Sequence, residues 1–279
     1  MSTSLDDQPI RSEQCGSVLW VTLDRPQVRN AFNPAMIAAL TNLFTGLGVP
    51  SRSDPGAAHA GDGPPRAVVL AGAGQSFSAG ADLAWMRSTA TYTLPDNEAD
   101  AARLARMFDA IEDCPLPVVA RVHGAALGGG MGLVAACDVA IAAEGTVFGF
   151  TEARLGIAPA VISPYVLRAI GPSHARALFV TGERFDSARA ERIGLVHRVV
   201  DPAGLDAAVE QTLSAILACG PAAVAACKRL VAAVPALDRD GACALTTATI
   251  AALRASDEGQ EGMQAFLEKR TPWYAYAKS

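Results

Sequence analysis

Two glycine-rich segments restrict the folds open to this chain more than any other feature of its sequence. They are residues 75–83 (QSFSAGADL) and residues 123–133 (HGAALGGGMGL). An apolar run precedes each segment, at 66–71 and at 117–122, and each segment opens into an apolar, helix-compatible run. Apolar runs bounded by turn residues are typical of buried strands. The sequence therefore predicts two strand–turn–helix units in which both turns are rich in glycine.

Glycine in these turns lets another group come close to the backbone, because no side chain is in the way. A helix also begins with unpaired N–H groups and a partial positive charge. Two such turns side by side would direct two backbone N–H groups at one carbonyl oxygen, which is how an enolate is stabilised. For either segment alone, a tight turn with close backbone packing is the alternative. Neither segment has the pattern of a phosphate-binding P-loop or of a dinucleotide site.

The chain before and after these segments alternates strand and helix patterns. An alternating apolar run at 17–23 predicts a strand. Asn30 or Asn33 can cap the following helix, with Pro34 in its first turn. The other predicted elements are loops at 49–65 and 88–98, a helix at 99–112, and short strands at 139–142 and 147–150.

The pattern changes towards the C-terminus. From about Ser163 it is mostly helical, with one apolar interruption at 194–200. Repeated strand–helix units followed by helices alone predict an α/β core with a helical C-terminal part. The change near residue 200 predicts two regions, 1–200 and 201–279.

Composition narrows the class of protein. Of the 279 residues, 51% are hydrophobic and 18% are charged, which is typical of a globular protein. The net charge of −5 argues against a nucleic-acid-binding surface. Apolar runs stop well short of the about 20 residues that a membrane span needs, and the polar, acidic start does not resemble a secretory signal. The six cysteines and four histidines show no metal-ligand spacing. We expect free thiols, a cytoplasmic location and no metal, nucleic acid or membrane partner.

Five stretches of sequence occur together in the order expected of one family. They are residues 23–33 (LDRPQVRNAFN), 77–83 (FSAGADL), 124–130 (GAALGGG), 181–185 (TGERF) and 262–270 (GMQAFLEKR). Here the chain resembles the crotonase, or enoyl-CoA hydratase/isomerase, family. The resemblance implies an α/β fold with a crotonase-like β-β-α spiral core and a C-terminal helical trimerisation region. It also implies a homotrimer or a dimer of trimers.

The resemblance implies a chemistry as well. The two family oxyanion donors fall on the Ala81 and Gly129 N–H groups, which would bind the oxygen of an acyl-CoA thioester. Family hydratases commonly use two glutamates, of which one matches Glu152 and the other falls on Gly132, which cannot transfer a proton. Apart from the resemblance, Glu152 is an ordinary glutamate near a helix N-terminus. An apolar pocket would raise its pKa towards neutrality. Coenzyme A is part of the substrate, so no separate cofactor is expected.

The same motifs supply candidates for holding the substrate. Coenzyme A is polyanionic, and Arg25, Arg29 and Lys269 carry charges that suit its phosphates. Each of them equally suits a solvated surface position. Further candidates flank the first oxyanion donor: Ala79, Asp82 and Leu83. Asp82 also suits a loop cap. Three apolar side chains suit either the pocket or the core: Trp85, Met86 and Phe266.

Residues 157–166 (IAPAVISPYV) depart from the glycine-rich run common in the family. This stretch is similar to a bacterial methylglutaconyl-CoA hydratase-like subgroup, which implies a branched glutaconyl-type substrate.

Three functions therefore stand side by side. The first is an enoyl-CoA hydratase that adds water across the 2,3 double bond. The second is an enoyl-CoA isomerase in which Glu152 alone shuttles a proton between two carbons. The third is an acyl-CoA-binding protein that has lost catalysis at Gly132, for which Gly132→Glu is expected to raise hydratase activity.

Overall fold

The computed structural model describes residues 8–50 and 63–275. Its strands are β1 (Ile10–Cys15), β2 (Val18–Leu23), β3 (Ala67–Gly72), β4 (Val118–Val122), β5 (Ala125–Leu127), β6 (Val139–Ala143), β7 (Val147–Gly149), β8 (Arg184–Asp186) and β9 (Arg198–Val200). Its helices are α1 (Pro34–Thr45), α2 (Leu83–Ser88), α3 (Leu94–Glu112), α4 (Gly129–Ala136), α5 (Ser163–Thr181), α6 (Ser187–Arg192), α7 (Leu205–Leu217), α8 (Pro221–Ala233), α9 (Arg239–Ala255) and α10 (Asp257–Leu267).

The strands form two sheets. The larger has the order β1-β2-β3-β4-β6-β9, in which β1 and β2 are antiparallel and the other neighbours are parallel. The smaller has the order β5-β7-β8, with β5 parallel and β8 antiparallel to β7. Parallel neighbours end at the same edge of a sheet, so the loops that follow β3 and β4 lie close together. Both glycine-rich segments occupy those loops.

Hydrophobic cores cover both faces of the larger sheet. Alternate residues of a strand point to opposite faces. Val68 and Leu70 of β3 accordingly belong to a core shared with α1, α3, α4 and α5, while Val69 belongs to a second core shared with α7. The loops between β3 and α2 and between β4 and α4 are therefore supported by packed elements on one face.

Most of the predicted elements are present. The strands predicted at 17–23, 66–71, 117–122, 139–142 and 147–150 correspond to β2, β3, β4, β6 and β7. Of the two possible caps, Asn33 is the one used, since its side chain accepts a hydrogen bond from the Met36 N–H. The apolar interruption at 194–200 contains β9, which pairs with β6.

Two parts of the prediction are wrong. The predicted loop at 88–98 ends at Thr93, because Thr93 and Asp96 form a capping box that begins α3 at Leu94. Strand β1 was not predicted, because five of its six residues are exposed and it lies at the sheet edge with no apolar pattern. Most of the loop predicted at 49–65 lies outside the described residues.

The C-terminal helices differ in their packing. Helix α7 covers one face of the larger sheet, whereas α9 contains no fully buried residue. Among the described residues, no single helix is long and apolar enough to cross a membrane. One pair of helical stretches, Pro202–Leu217 and Pro221–Ala236, meets those criteria when taken together across a bend of 103°. The division at residue 200 stays a prediction.

Candidate active site

The first glycine-rich segment lies between two neighbouring backbones. On one side, the Phe32 N–H donates to the Gly80 carbonyl (2.6 Å) and the Asp82 N–H donates to the Phe32 carbonyl (2.8 Å). On the other side, Ser78 pairs with Ala126 of β5. Successive peptide groups of an extended chain point in opposite directions. The Ala81 N–H therefore points away from Phe32, towards the side on which β5 and the second segment lie.

The second segment turns sharply from β5 into α4. Gly128 has a φ of 52°, and its N–H donates to the Gly149 carbonyl of β7 at 2.9 Å. Gly129 is the first residue of α4, so the helix itself supplies no acceptor for its N–H. Within the described part of the chain, the Gly129 and Ala81 N–H groups have no hydrogen-bond acceptor. Both donors are thus available to a ligand.

Gly80 permits the close approach of the two segments. A β-carbon built on Gly80 would lie 2.8 Å from the Leu127 carbonyl oxygen and 3.2 Å from the Gly129 nitrogen. The nitrogen of Ala81 is joined to Gly80 through a single carbonyl carbon. The two amides predicted to serve as oxyanion donors therefore lie in one small region, which a side chain at position 80 would disrupt.

Glu152 lies beside the same glycines. It begins the 3-10 turn Glu152–Leu155, shortly after β7, and a β-carbon built on Gly128 would lie 3.5 Å from its Oε1. Its Oε2 is buried and, among the residues that the structure describes, has no hydrogen-bond partner. Burial raises the pKa of the Glu152 carboxyl, and only its own backbone N–H works in the opposite direction. The expected shift is present, and the carboxyl has an oxygen free to exchange a proton.

Position 132 has no room for a second carboxylate. A β-carbon built on Gly132 would lie 2.4 Å from Ile162 Cγ2 and 2.8 Å from Phe108 Cε1. Both side chains are buried in the main core. Even the first carbon of the new side chain would collide with the core, so we do not expect Gly132→Glu alone to raise hydratase activity.

Asp82 braces the oxyanion segment. Its Oδ1 accepts hydrogen bonds from the Ala84 and Trp85 N–H groups at the start of α2, and its Oδ2 pairs with Arg25 Nη2 at 2.7 Å. Burial works against the charged form, but these hydrogen bonds outweigh it, so the pKa of Asp82 lies below its ordinary value. Asp82 therefore caps α2, which is one of the two roles that the sequence allowed.

The other binding candidates divide into two groups. Arg25 is half-buried and also donates to the Ala31 carbonyl at 2.7 Å, so its charge is directed into the fold. Arg29 is exposed, and its carbonyl accepts the Ala79 N–H at 2.9 Å, which places both residues next to the oxyanion segment. Leu83 is 70% exposed at the start of α2. Lys269 is exposed beyond α10, and its described hydrogen bond does not reach this segment.

Asn30 is the residue whose role the sequence did not indicate. It is fully buried with a left-handed φ of 54°. Its Oδ1 accepts the Arg25 N–H, and its Nδ2 donates to the carbonyls of Ala73 and Ser76, each at 2.8 Å. This side chain ties the turn after β2 to the loop that carries the first oxyanion donor. Its position inside a family motif was the only signal that could have identified it.

Comparison with known proteins decides the family. The family model described as enoyl-CoA hydratase/isomerase matches residues 13–276. The chain belongs to the enoyl-CoA hydratase/isomerase family. It is 32% identical to a putative enoyl-CoA hydratase of Thermus thermophilus, over 92% of this chain and 97% of that one. It is also 32% identical to a crotonyl-CoA hydratase of Syntrophomonas wolfei, over 94% and 95% of the two chains.

Solved structures of the family agree with the fold. The structure titled AtuE from Pseudomonas aeruginosa has a TM-score of 0.89 at 36% identity and covers 96% of this chain and 100% of that one. An enoyl-CoA hydratase from Shewanella pealeana has a TM-score of 0.85 at 36% identity, covering 97% and 99%. The expected crotonase-like α/β fold with its C-terminal helices is confirmed. In the described residues, no group of three or more His, Cys, Asp or Glu side chains is arranged to hold a metal ion.

Proposed function

We propose that this chain is an enoyl-CoA hydratase, which adds water across the 2,3 double bond of an acyl-CoA thioester. The observation that carries the proposal is the meeting of two acceptor-free amides, of Ala81 and Gly129, with the buried carboxyl of Glu152. The names of the relatives in the family support the same activity.

The two amides and the Glu152 carboxyl suit different parts of the hydration step. Addition of the water oxygen to C3 breaks the C2–C3 π bond and releases one water proton to solvent, and the electron pair moves through C2 onto the thioester oxygen, which becomes negatively charged. The two amides hydrogen-bond that oxygen, and such a donor is worth about 2.7–4 kcal/mol of barrier in other enzymes. Glu152 supplies the proton that C2 takes up and regains one from solvent, and its raised pKa favours the protonated acid that this step needs.

An absorbance assay on purified protein tests the proposal. Crotonyl-CoA has a conjugated double bond, and hydration removes its absorbance. The wild-type protein is expected to bleach it, and Glu152→Gln to slow the reaction by about 10²–10⁴-fold. Glu183→Gln is the matched control. Glu183 directly precedes β8, and its carboxylate pairs with Arg189, whereas the Glu152 carboxyl lies beside the oxyanion amides. Binding of the thioester with no turnover would favour the acyl-CoA-binding alternative.

Isomerisation is the second candidate, and a specific observation favours it. Moving a double bond from the 3,4 to the 2,3 position needs one proton carrier only, and position 132 supplies no second carboxylate. The same instrument separates the two reactions, since a 3-enoyl-CoA gains conjugated absorbance when it is isomerised. A wild-type protein that creates this absorbance and leaves crotonyl-CoA unchanged would replace the hydratase proposal with this one.

The sequence of residues 157–166 suggests the class of substrate. We propose a branched glutaconyl-type CoA ester, on the resemblance of that stretch to a methylglutaconyl-CoA hydratase-like subgroup. A panel of straight, branched and glutaconyl-type enoyl-CoA esters tests it, with the highest kcat/KM expected for the glutaconyl-type ester. Equal values across the panel would contradict the assignment.

Exposed apolar side chains and free thiols bear on assembly and location. The C-terminal helices expose large apolar side chains, which a second copy of the chain would cover: Val231, Ile250, Met263, Phe266 and Leu267. We propose a homotrimer or a dimer of trimers. All six cysteines are free thiols, which fits a reducing cytoplasm.

A further inference from the structure

The Ala81 amide directly follows a residue of the type with the greatest backbone freedom. Glycine is needed at position 80, because a β-carbon there would lie 2.8 Å from the Leu127 carbonyl oxygen. Glycine also adopts more backbone conformations than any other residue, so it allows the next peptide group to turn. An amide that must point at one oxygen therefore needs other contacts that fix the two torsions of Gly80.

Two hydrogen bonds hold the peptide groups on either side of Gly80. The Gly80 carbonyl and the Ala81 N–H belong to one trans peptide group and point in opposite directions. The Phe32 N–H donates to that carbonyl at 2.6 Å, which directs the Ala81 N–H away from Phe32. The preceding peptide group is held through the Gly80 N–H, which donates to the Ser78 hydroxyl oxygen at 3.3 Å. Because φ and ψ of Gly80 are the soft torsions between these two groups, the two bonds restrain both torsions.

The Ser78 hydroxyl is itself held in one orientation. Ser78 is fully buried, and its N–H and carbonyl pair with Ala125 and Leu127 of β5, each at 3.0 Å. A serine hydroxyl has one proton to donate, and that of Ser78 goes to the Asn30 carbonyl at 3.0 Å. Its lone pairs are left to accept the Gly80 N–H. Ser78 thus connects the turn after β2 and strand β5 to the peptide group that precedes the oxyanion amide.

Ser78 also lies against the helix that supplies the second oxyanion donor. A β-carbon built on Gly130 would lie 2.6 Å from the Ser78 carbonyl oxygen and 3.0 Å from the Ser78 β-carbon. Gly130 directly follows Gly129 at the start of α4. The backbone of Ser78 is therefore close to both oxyanion amides, whereas its hydroxyl acts on the Ala81 side.

We propose that Ser78 is a positioning residue of the oxyanion site, whose hydroxyl restrains Gly80 so that the Ala81 N–H points at the thioester oxygen. This inference rests on the proposed function, which gives the Ala81 amide that role. Ser78 acts through the Gly80 N–H and not by contact with the substrate. Without the hydroxyl, the Gly80 N–H and the Asn30 carbonyl lose the hydrogen bond that each has among the described residues. Buried polar groups without a partner are costly, which favours a turn of the glycine peptide.

The kinetics of Ser78→Ala test the inference. The kcat for crotonyl-CoA is expected to fall about 10-fold, less than the about 10²–10³-fold of a donor removed outright, because the Phe32 hydrogen bond remains. KM is expected to stay within about twofold, since the oxyanion forms in the transition state. Ser78→Cys, whose thiol hydrogen-bonds weakly, is expected to give an intermediate kcat. Thr212→Val is the matched control, because it removes a hydroxyl that donates to the Ala208 carbonyl within α7, and it should keep the wild-type kcat.

An infrared measurement reads the oxyanion amides directly. Butyryl-CoA labelled with ¹³C at the thioester carbonyl gives a band whose shift on binding reports how strongly the amides bind the oxygen, and it needs no turnover. The wild-type protein is expected to move the band to lower wavenumber than in the free thioester. At saturation, Ser78→Ala is expected to move it less. A wild-type kcat or a wild-type band in Ser78→Ala overturns the inference, since loss of stability alone changes neither.

The two readouts separate this inference from the proposed function. A wild-type protein that shifts the band but hydrates no enoyl-CoA contradicts the hydratase proposal, and the band of Ser78→Ala then decides the inference. A protein that hydrates and whose band is the same with and without the Ser78 hydroxyl loses this inference alone. A wild-type protein that binds butyryl-CoA with no shift contradicts both. Circular dichroism checks folding, and Ser78→Cys is judged by the same two criteria if Ser78→Ala does not fold.

Discussion

Glu152 combines burial with a carboxyl oxygen that has no hydrogen-bond partner among the described residues, and this combination is expected to lower the stability of the folded protein at a pH where the carboxyl is ionised. Its raised pKa means that the folded state favours the neutral acid. This tighter binding of the proton contributes stability that is fully present below the unfolded pKa of about 4.3. That contribution is lost as pH rises through the pKa of Glu152 in the folded protein.

Glu152→Gln removes that ionisation. The melting temperature of the variant relative to wild type is expected to rise as pH increases from about 4 to 8, while its activity is lost. Differential scanning calorimetry at a series of pH values measures this difference, with Glu183→Gln as the control at a partly exposed, ion-paired carboxylate. A constant difference across this range would show that the Glu152 carboxyl is not desolvated in the folded protein.

At position 132, a single added β-carbon is expected to lower the stability of the fold. Gly132→Ala places a carbon 2.4 Å from Ile162 Cγ2. Overpacking of this kind costs about 1–3 kcal/mol, measured as a lower free energy of unfolding in urea. Adding Ile162→Ala should recover part of the cost of the alanine at 132, because the colliding methyl group is removed. Strictly additive losses in the double variant would show that the two positions do not touch.

The approach of the two glycine-rich segments depends on Gly80. Gly80→Ala combines an unfavourable φ of +85° with a contact of 2.8 Å to the Leu127 carbonyl and 3.2 Å to the Gly129 nitrogen. Gly145 is a matched control, since its φ is +78° but a β-carbon there meets nothing within 4 Å. Both variants should lose stability through backbone strain, and Gly80→Ala alone should lose kcat, by about 10²-fold or more if a donor is displaced. Equal losses of kcat in the two variants would show that activity does not depend on the close approach of the two glycine-rich segments.

The sequence was informative for elements whose pattern is local. Strands β2, β3 and β4 are apolar runs bounded by turn residues, and both oxyanion segments follow from glycine content and motif order. It failed at β1, whose pairing with β2 satisfies the backbone of an otherwise polar stretch, and at the start of α3, where Thr93 and Asp96 form a cap inside a polar run. The features that could not be predicted depend on contacts between residues far apart in the sequence. The sequence showed that Gly132 lacks a carboxylate, but residues 24 and 30 positions away fill its place, and no local pattern links Phe108 and Ile162 to it.

The single chain exposes an apolar surface on its last three helices, α8, α9 and α10. Helix α9 has no fully buried residue, and Val231 of α8 is 77% exposed. Light scattering coupled to size exclusion is expected to give a trimeric or hexameric mass. Val231→Glu should shift it towards the single chain, whereas Val180→Glu, an equally apolar residue that is 74% exposed on α5, should leave it unchanged. A single-chain mass for the wild-type protein would contradict the proposed assembly.

Binding of a thioester oxygen by two amides links the fold of the whole chain to its chemistry. A crystal structure with butyryl-CoA, a saturated and therefore unreactive thioester, tests that link most directly. The thioester oxygen is expected about 2.7–3.1 Å from both the Ala81 and the Gly129 nitrogens, with C2 next to the Glu152 carboxyl. A butyryl-CoA whose thioester oxygen is bound by neither amide would contradict the assignment of this site.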